Sequence, residues 1–462
     1  MEGKVRNSMN IIIAGAGKVG YTVARQLVDE GHDVKIIDSD RARLDQAMNA
    51  MDVIGYCGNS ANLTALEAAE VRKADVFIAA TSRDEINLVS SQFAKKMGAK
   101  YTMARIRNPE YMDRIDTMRE IMELSLALNP DQVAAEEISR VLQFPSAMHI
   151  ETFPDSDFEI ITARIPAGSR LNGVPLRDME HRFGSRVLIC AAEREGELII
   201  PKGDFAPREG DVVTLTGTHH DLRRFFSAGG SYRRPVRNVI LLGGSRIAVY
   251  LALLLGNTGV DVTILEIDPE RARYLAEVLP NADIICSDGT DTAALQETGL
   301  ARADGFVALT NYDEDNIILS MYADKIGVEK VVCKVNEDKF TDLLGNSFKD
   351  TVISPKDLTA QRIIGFIRAL NNTSQDSTME ALYYMGDGRV TATEFVVGPA
   401  ARCVEKPLRE LRLRDGVLLA CVTRKGMSFI PDGRTVIRPG DKVVVITTDR
   451  SISALDEILA QG

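Results

Sequence analysis

The stretch Ile11–Gly20, IIIAGAGKVG, joins an apolar run to a Gly-x-Gly-x-x-Gly pattern. The apolar run predicts a buried strand, and the residues after the glycines predict a helix. In such a turn the first glycine permits the sharp change of direction, the second lets a diphosphate approach the backbone, and the third lets the helix pack on the strand. The free N–H groups at the helix N-terminus favour phosphate. The stretch therefore predicts a nucleotide-binding strand–turn–helix unit.

An acidic residue completes this pattern. Asp38 ends the next apolar run, Val34–Ile37, at about the 20-residue spacing that the fingerprint requires. A carboxylate at this position can accept hydrogen bonds from both ribose hydroxyls and would repel a 2′-phosphate. NAD(H) or adenosine nucleotides are therefore favoured over NADP.

Apolar runs alternate with helical patterns throughout residues 10–106. Strand–helix alternation with short connections predicts a parallel sheet with right-handed crossovers. Residues 151–227 instead contain short β-rich runs broken by Gly and Pro, which predicts a small α+β module. A helical stretch at 131–143 joins the two parts, and 356–370 is its counterpart. The apolar faces of these helices would serve either assembly or the intrachain core, and helical spacing alone does not separate the two.

The chain contains this whole unit twice. Residues 74–81, ADVFIAAT, recur as ADGFVALT at 303–310, and the same 229-residue offset relates DEIN at 84–87 to DEDN at 313–316. Matches at a nearly constant offset over the whole unit indicate duplicated domains rather than short solenoid repeats. The small, polar, proline-ended segment 227–235 is typical of a linker between the copies.

The predicted fold class is α/β, with two tandem Rossmann-like parallel-sheet domains, each followed by a small α+β domain. The expected segments are a first Rossmann-like domain at 9–130, a crossover helix at 131–150, a small domain at 151–231, a second Rossmann-like domain at 236–354, a crossover helix at 355–375 and a second small domain at 376–462.

The second copy departs from the glycine fingerprint. It has Ser245 where the middle glycine would stand, and Glu266 ends its next apolar run. A Cβ then faces the diphosphate. The serine hydroxyl could donate to phosphate, or this site could prefer a different nucleotide or remain empty.

Topology nominates further positions, because ligands bind beyond the carboxyl ends of parallel strands. A basic residue lies in the fifth strand of both copies and could neutralise phosphate. The threonine after each fourth strand contacts ligand or contributes to helix capping. The first predicted site comprises Gly15, Ala16, Gly17, Lys18, Val19, Asp38, Gly58, Thr81, Ser82 and Arg105. The second comprises Gly243, Gly244, Ser245, Arg246, Ile247, Glu266, Asp288, Thr310 and Lys334.

No catalytic or metal-binding motif is recognisable. The sequence has no Tyr-x-x-x-Lys, no P-loop, no Gly-x-Ser-x-Gly and no Cys-x-x-Cys, and none of its five histidines recurs in the other copy. A net charge of −11 argues against bulk binding of nucleic acid. The longest apolar stretches fall short of the ~20 residues that span a bilayer, and no signal peptide is visible. The sequence predicts nucleotide binding without turnover.

This layout resembles the regulators of Trk-type potassium uptake, which are built from regulator-of-potassium-conductance (RCK) N and C domains. The resemblance covers residues 9–462, and its motifs are the glycine stretch with Asp38, TSRDEIN at 81–87, ARIRNP at 104–109, VPLR at 174–177 and KPLR at 406–409.

The resemblance implies a cytoplasmic subunit, peripheral at the inner face of the cell membrane. Four such chains would form a ring beneath a membrane potassium-translocating subunit, and NAD(H) and ATP/ADP would be the ligands. Occupancy would be coupled to potassium transport. The alternatives are a soluble NAD-dependent oxidoreductase and a regulator of a different ion transporter.

Overall fold

A computed structural model describes residues 8–108, 111, 115–144, 146–152, 158–230, 235–337, 339–340, 352–371, 377–385, 389–449, 452 and 454–460. The predicted linker falls partly outside these residues, at 231–234. The helix before it ends at Ala228, and Gly230 adopts a positive φ of 74°.

The first half begins with alternating strands and helices. These are β1 (Asn10–Ala14), α1 (Lys18–Asp29), β2 (Asp33–Asp38), α2 (Arg41–Ala50), β3 (Ile54–Cys57), α3 (Leu63–Ala68), a 3₁₀ turn (Val71–Lys73), β4 (Val76–Ala79), α4 (Asp84–Met97), β5 (Tyr101–Arg105), α5 (Ile115–Ile121) and β6 (Leu126–Leu128). The strands form one sheet in the order β3-β2-β1-β4-β5-β6. The pairings of β1 with β2 and β4 are parallel. This is the strand order of a dinucleotide-binding domain.

A crossover helix and a small antiparallel domain follow. The elements are α6 (Pro130–Gln143), β7 (His149–Thr152), β8 (Phe158–Arg164), α7 (Leu176–Phe183), β9 (Leu188–Arg194), β10 (Glu197–Ile199), β11 (Val212–Thr218) and α8 (His219–Ala228). The sheet order is β10-β9-β11-β8-β7.

The second half repeats this plan. Its elements are β12 (Asn238–Leu242), α9 (Arg246–Gly256), β13 (Asp261–Glu266), α10 (Pro269–Val278), β14 (Ala282–Cys286), α11 (Thr292–Glu297), a 3₁₀ turn (Leu300–Arg302), β15 (Gly305–Ala308), α12 (Asp313–Lys325), β16 (Lys330–Lys334), β17 (Val352–Ile353), α13 (Pro355–Asn371), β18 (Ser377–Met385), β19 (Val390–Val397), a 3₁₀ turn (Leu408–Glu410), β20 (Val417–Arg424), β21 (Met427–Phe429), β22 (Lys442–Thr447) and a 3₁₀ turn (Leu455–Ile458). The sheets run β14-β13-β12-β15-β16-β17 and β18-β19-β22-β20-β21. The predicted fold class is confirmed.

The crossover helices are shorter than the expected segments 131–150 and 355–375. α6 ends at Gln143, because Pro145 disfavours helical backbone at the residue before it. Residues 149–152 instead form β7, which pairs with β8 of the small sheet. α13 ends at Asn371.

The two crossover helices exchange partners between the halves. The buried face of α6 packs against α9 and the second Rossmann-like sheet, whereas α13 packs against α1 of the first. The apolar faces of these helices are therefore intrachain core rather than an assembly surface. The buried residues of this exchange are Ala134, Ala135, Ile138, Val141 and Leu142 on α6 and Ala360, Ile363, Ile364 and Ile367 on α13.

Polar contacts accompany the exchange. Asn129 caps α6 through its side-chain oxygen, and its Nδ2 donates to the hydroxyl of Tyr250 on α9 at 2.9 Å. On the other side, Arg368 of α13 forms a two-pronged ion pair with Glu30, which follows α1. Both helices are thus anchored to the opposite half by directional contacts as well as by burial.

The two small domains also contact each other. Cys190 and Ala191 on β9 share a buried apolar cluster with Ala420 and Cys421 on β20. At the edge of this contact, Nη1 of Arg389 donates to a carbonyl of the first small domain at 2.8 Å. Each kind of domain therefore pairs with its duplicate within one chain.

The exchange makes a testable prediction on α9. Leu251 is fully buried in the cluster that contains α6, whereas Leu253, on the same helix, is 51% exposed. We expect Leu251→Ala to destabilise the chain by about 2–5 kcal/mol, because it leaves a cavity between the halves. Leu253→Ala, the matched control, should change stability by less than about 0.5 kcal/mol. Urea unfolding of both variants measures this, and equal midpoints would contradict the observed packing.

Candidate nucleotide-binding sites

The first glycine turn is built by close backbone approaches. Gly15 has a φ of +109°, and a Cβ on it would lie 2.8 Å from the Ala80 carbonyl oxygen. A Cβ on Gly20 would lie 1.9 Å from the carbonyl oxygen of Gly15. Gly17, by contrast, has no atom within 4 Å of its Cβ position. The outer two glycines are therefore required by the turn itself, whereas the middle one leaves open space.

The N-terminus of α1 borders this open space. Gly17 is its N-cap, so no side chain accepts a hydrogen bond from the first turn, and that turn carries no acidic residue. The next two positions differ in character. Lys18 is exposed, and the side chain of Val19 is buried in the core, so Val19 offers only its backbone N–H. Uncapped N–H groups at a helix N-terminus favour an anion such as phosphate.

Asp38 forms the rim of the first turn. Its Oδ2 accepts a hydrogen bond from the N–H of Ala16 at 2.6 Å, and its Oδ1 accepts one from the N–H of Asp40 at 2.8 Å. The carboxylate is thereby fixed beside the glycine turn. Each carboxylate oxygen can accept a second hydrogen bond, so capacity remains for ribose hydroxyls. Gly58 lies next to it and donates its N–H to the Asp38 carbonyl at 2.9 Å.

Asn87 ties the ends of β4 and β5 together. Its Oδ1 accepts hydrogen bonds from the N–H and the hydroxyl of Thr81, at 2.9 and 2.7 Å. Its Nδ2 donates to the carbonyl of Arg105 at 2.8 Å, and Nη1 of Arg105 donates to the carbonyl of Thr81. The N-cap of α4 is Arg83, so Thr81 organises the turn before the helix and does not cap it. Ser82 is exposed beside it.

Arg105 places a cation at this edge of the sheet. Burial, and after it the charge of the neighbouring Arg107, lowers the pKa of its guanidinium to about 10, so the group stays charged at neutral pH. Its Nε is buried and has no hydrogen-bond partner among the described residues. A buried donor without an acceptor is costly. The residues of the first turn therefore fit an anionic nucleotide.

The second turn repeats the backbone arrangement. Gly243 has a φ of +92°, and Glu266 accepts hydrogen bonds from the N–H groups of Gly244 and Asp268, at 2.8 and 2.9 Å. Glu266 thus occupies the position of Asp38.

Side chains contact the second glycine turn in a way that they do not contact the first. Ser245 caps α9 with a 3.4 Å hydrogen bond from the N–H of Ala248. Nε of Arg271 donates to the Gly244 carbonyl at 2.7 Å, and its guanidinium lies 4.8 Å from the ring centre of Tyr274. The second turn therefore presents fewer free donors than the first. Of the next two predicted residues, Arg246 is exposed, whereas the side chain of Ile247 is buried.

The remaining second-site residues separate into two groups. Thr310 repeats the first-half network through Asn316, which also donates to the carbonyl of Lys334 at 3.0 Å. Lys334 is buried, which lowers the pKa of its ammonium group. Asp288, in contrast, is exposed and accepts hydrogen bonds from the N–H and hydroxyl of Thr290 in its own loop.

Charged groups of the two sites meet at the boundary between the halves. Nζ of Lys18, beside the first turn, lies 2.7 Å from Oε1 of Glu337, which follows β16 of the second half, and this hydrogen bond lowers the pKa of Glu337. The carboxylate of Asp131 acts on the basic residue of both sites, since its charge partly offsets the lowering of the pKa of Arg105 and of Lys334. The exchange of crossover helices therefore places the two predicted sites side by side.

Sequence reasoning missed several of these residues. Asn87 and Asn316 could have been found, because both lie in the repeated motif at the 229-residue offset. Glu337 carried no such signal, since its counterpart at that offset is Asn108. Arg271 was hidden for another reason. Its hydrogen bond to the Gly244 carbonyl depends on the conformation of its side chain, which the spacing of residues in the sequence does not indicate.

Neither a cluster of metal ligands nor a membrane-spanning helix is present among the described residues. Nowhere in that part of the chain do three or more His, Cys, Asp or Glu side chains gather as a metal ion would need. No helix within it has both the length and the apolar character that crossing a lipid bilayer demands.

Family models match most of the chain. The TrkA-N domain model matches residues 11–123 and 239–355, and the TrkA-C domain model matches 160–228 and 392–460. The "Trk system potassium uptake protein TrkA homolog" of Archaeoglobus fulgidus is 31% identical over 97% of this chain and 100% of that protein. The "Trk system potassium uptake protein TrkA" of Vibrio alginolyticus is 28% identical over 98% of this chain and 99% of that protein.

Solved structures share the fold. The "GsuK Channel" structure superposes with a TM-score of 0.64 at 17% identity, covering 96% of this chain and 78% of that one. A structure titled "GsuK channel bound to NAD" gives 0.62 at the same identity and coverage. At this identity the likeness establishes the architecture alone.

The glycine geometry predicts that one of two similar substitutions destabilises the chain and the other does not. Gly20→Ala should lower the thermal midpoint by several degrees, because its Cβ would collide with the Gly15 carbonyl and displace the start of α1. Gly17→Ala, with open space around its Cβ, should unfold within about one degree of the wild type, since surface changes are worth under ~0.5 kcal/mol. Thermal unfolding followed by circular dichroism tests this. A stable Gly20→Ala chain would contradict the described turn.

Proposed function

The chain belongs to the TrkA family of Trk-system potassium uptake proteins, and we propose that it is the nucleotide-binding regulatory subunit of such a system. Its first turn would bind NAD(H), ATP or ADP, and occupancy would be coupled to potassium transport. The observation that carries this proposal is the combination of an open Gly17, an uncapped α1 N-terminus and a fixed Asp38 carboxylate.

Each part of the first turn would meet one part of the ligand. The backbone N–H groups from Gly17 to Val19 would donate to phosphate oxygens, and Asp38 would accept hydrogen bonds from the ribose. Arg105 would supply a positive charge whose Nε still needs an acceptor. The GsuK channel, which shares this architecture, has been solved bound to NAD, and this supports NAD(H) as a ligand.

We infer binding without chemical turnover. Three carboxylates at or near the two turns accept hydrogen bonds from backbone N–H groups: Asp38 and Glu266 accept two each, and Asp84 accepts those of Arg107 and Asn108. General acid–base catalysis needs a group free to exchange a proton with substrate. These carboxylates instead fix the backbone of the loops around the turns, which favours a regulatory protein over an oxidoreductase.

The Lys18–Glu337 ion pair would link nucleotide binding at the first turn to a conformational change between the halves. A phosphate beside Lys18 would compete with Glu337 for the same ammonium group, so binding in one half would weaken a contact with the other. A ligand shifts a conformational equilibrium only by its difference in affinity for the two states. Coupling of about 1–3 kcal/mol per site is typical of such regulation.

The second turn would be a weaker or more selective site. Ser245 already caps α9, and Arg271 donates to the Gly244 carbonyl, so a nucleotide must displace or stack on these side chains. In the first copy Gly17 has no side chain, and Arg43, the equivalent of Arg271, pairs with Asp40 instead. The guanidinium of Arg271 would then border the base or ribose held by Glu266.

The subunit would act from the cytoplasmic face of the membrane, bound to the potassium-translocating subunit of a Trk system. It would do so as a homo-oligomer, a ring of four chains according to the resemblance. Exposed apolar side chains on α12, Ile318 and Met321, provide surface for such assembly.

Binding can be tested site by site with isothermal calorimetry. Asp38→Ala should abolish the tighter phase of NADH and ATP binding, because it removes the ribose acceptor and releases the N–H of Ala16. Glu266→Ala should affect only the weaker phase. Asp45→Ala is the matched control, since that carboxylate is exposed and pairs only with Arg41 among the described contacts. Unchanged NADH and ATP affinity in Asp38→Ala would refute the first site.

Potassium uptake tests the physiological role. In cells lacking this chain, wild type should restore uptake, whereas Asp38→Ala should restore it poorly although the chain is expressed and folded. Full rescue by Asp38→Ala would show that potassium uptake does not depend on nucleotide binding at the first site. Steady oxidation of NADH with a physiological substrate would instead favour the oxidoreductase, and co-purification with a different membrane transporter would favour regulation of that transporter.

A further inference from the structure

We propose that a protonated His149 fastens the first small domain to the crossover helix α6, and that loss of this proton at alkaline pH loosens the joint between them. The joint is the segment between α6, which ends at Gln143, and β7, which begins at His149. We call this segment the elbow. Its response to pH does not depend on which nucleotide the chain binds.

His149 lies between two carboxylates that belong to different elements. Its Nδ1 is 2.7 Å from Oε1 of Glu137 on α6, and its Nε2 is 3.0 Å from Oε1 of Glu151 on β7. A neutral imidazole has one N–H and donates to only one of them, whereas an imidazolium donates to both. This geometry therefore fits the protonated ring. We call these three side chains the histidine bridge.

The histidine bridge is largely withdrawn from water. Glu137 is 3% exposed, and the side chains of Glu151 and His149 are 13% and 25% exposed. Partly buried ion pairs are screened much less than surface pairs. Removing one partner of such a pair is costly, because the other charge stays buried without compensation. Loss of the His149 proton would do this to Glu137.

Two arginines act on the same carboxylates. Nη1 of Arg140, on α6, lies 3.8 Å from a carboxylate oxygen of Glu137 and 3.8 Å from one of Glu151. Arg362, on the crossover helix α13 of the second half, also acts on Glu137 through its charge. Within the first half, Arg140 and His149 balance the two glutamates only while His149 is protonated.

These surroundings favour the protonated ring at neutral pH. Burial lowers the pKa of the His149 imidazole, but the charges of Glu137 and Glu151 and their hydrogen bonds outweigh burial and hold this pKa well above its ordinary value. A group whose pKa is raised on folding contributes its full stability below its ordinary pKa, which is about 6.5 for histidine. That contribution is lost as the pH rises through the raised pKa, so the bridge opens on the alkaline side.

The elbow is also held from the second half. Nζ of the buried Lys330, at the start of β16, donates to the carbonyl of Ala147 at 2.9 Å. Lys334 of the second predicted nucleotide site ends the same strand. The elbow therefore lies between a crossover helix and a strand that reaches a nucleotide site. Opening of the bridge would alter the contact between the halves as well as the attachment of the small domain.

All five histidines of the chain lie in its first half. The second elbow, between α13 and β18, therefore has no histidine. The two small domains would consequently respond differently to pH, although they are duplicates.

Hydrogen exchange of the full chain tests the histidine bridge. Amide protection of residues 147–152 is measured by mass spectrometry from about pH 6 to about pH 9 and is corrected for the exchange rate of an unstructured peptide. Above about pH 6.5 we expect opening to become about tenfold more favourable per pH unit, until the raised pKa is reached, because opening releases one proton. Corrected protection that does not change with pH would overturn the proposal.

Two substitutions of His149 separate charge from shape. His149→Gln is neutral at every pH, so its elbow should show low protection and no pH dependence. His149→Lys stays charged to about pH 10 and should keep its protection where the wild type loses it. His181→Gln is the matched control, because His181 is exposed on α7 of the same small domain. Profiles of wild type and His149→Gln that coincide would contradict the bridge, as would loss of protection by His149→Lys in step with the wild type.

Potassium uptake tests whether the bridge has a regulatory role. In cells lacking this chain, the cytoplasm is made alkaline with a membrane-permeant weak base. Wild type and His181→Gln should show the same change in uptake, whereas His149→Gln should show a smaller one. Identical responses of all three chains would overturn the regulatory role. Nucleotide binding is measured separately with Asp38→Ala, so the proposed function and the histidine bridge fail independently.

Discussion

The exchange of α6 and α13 between the halves is the constraint on which the rest of the structure depends. Each helix leaves its own Rossmann-like sheet and buries its apolar face against the other one. Because burial of apolar surface is the main favourable term in folding, neither half is complete without its duplicate. The same exchange brings Lys18 to Glu337 and places Asp131 near the basic residue of both turns.

Much of the architecture was predictable because it is encoded locally. The glycine turn, the alternation of strands and helices and the 229-residue offset each follow from spacing, and the fold class is confirmed. The partner of α6 was not predictable, because amphipathic spacing shows that a face is buried but not what covers it. Contacts such as that of Lys18 with Glu337 were not predictable from the sequence either, since they depend on packing between distant segments.

The two turns show how a duplicated unit diverges without losing its frame. Both have a positive-φ glycine, an acid that accepts two backbone N–H groups, and an asparagine that joins the fourth and fifth strands. The difference lies in side chains on the rim. Ser245 places a side chain where Gly17 of the first copy leaves open space, and Arg271 donates to the Gly244 carbonyl. The features common to both copies fix the backbone of each turn. The side chains beside the turn determine how accessible its N–H groups are to a ligand.

The contact between the two small domains connects the halves of the chain a second time, in addition to the exchanged helices. The sheets are held at one end by the exchanged helices and at the other by the cluster around Cys190 and Cys421. A buried Lys330 also ties the second Rossmann-like sheet to the carbonyl of Ala147, at the elbow after α6. A linkage that is fastened at both ends cannot open like a simple hinge. Movement of one half relative to the other therefore has to disturb the exchanged helices or the contact between the small domains.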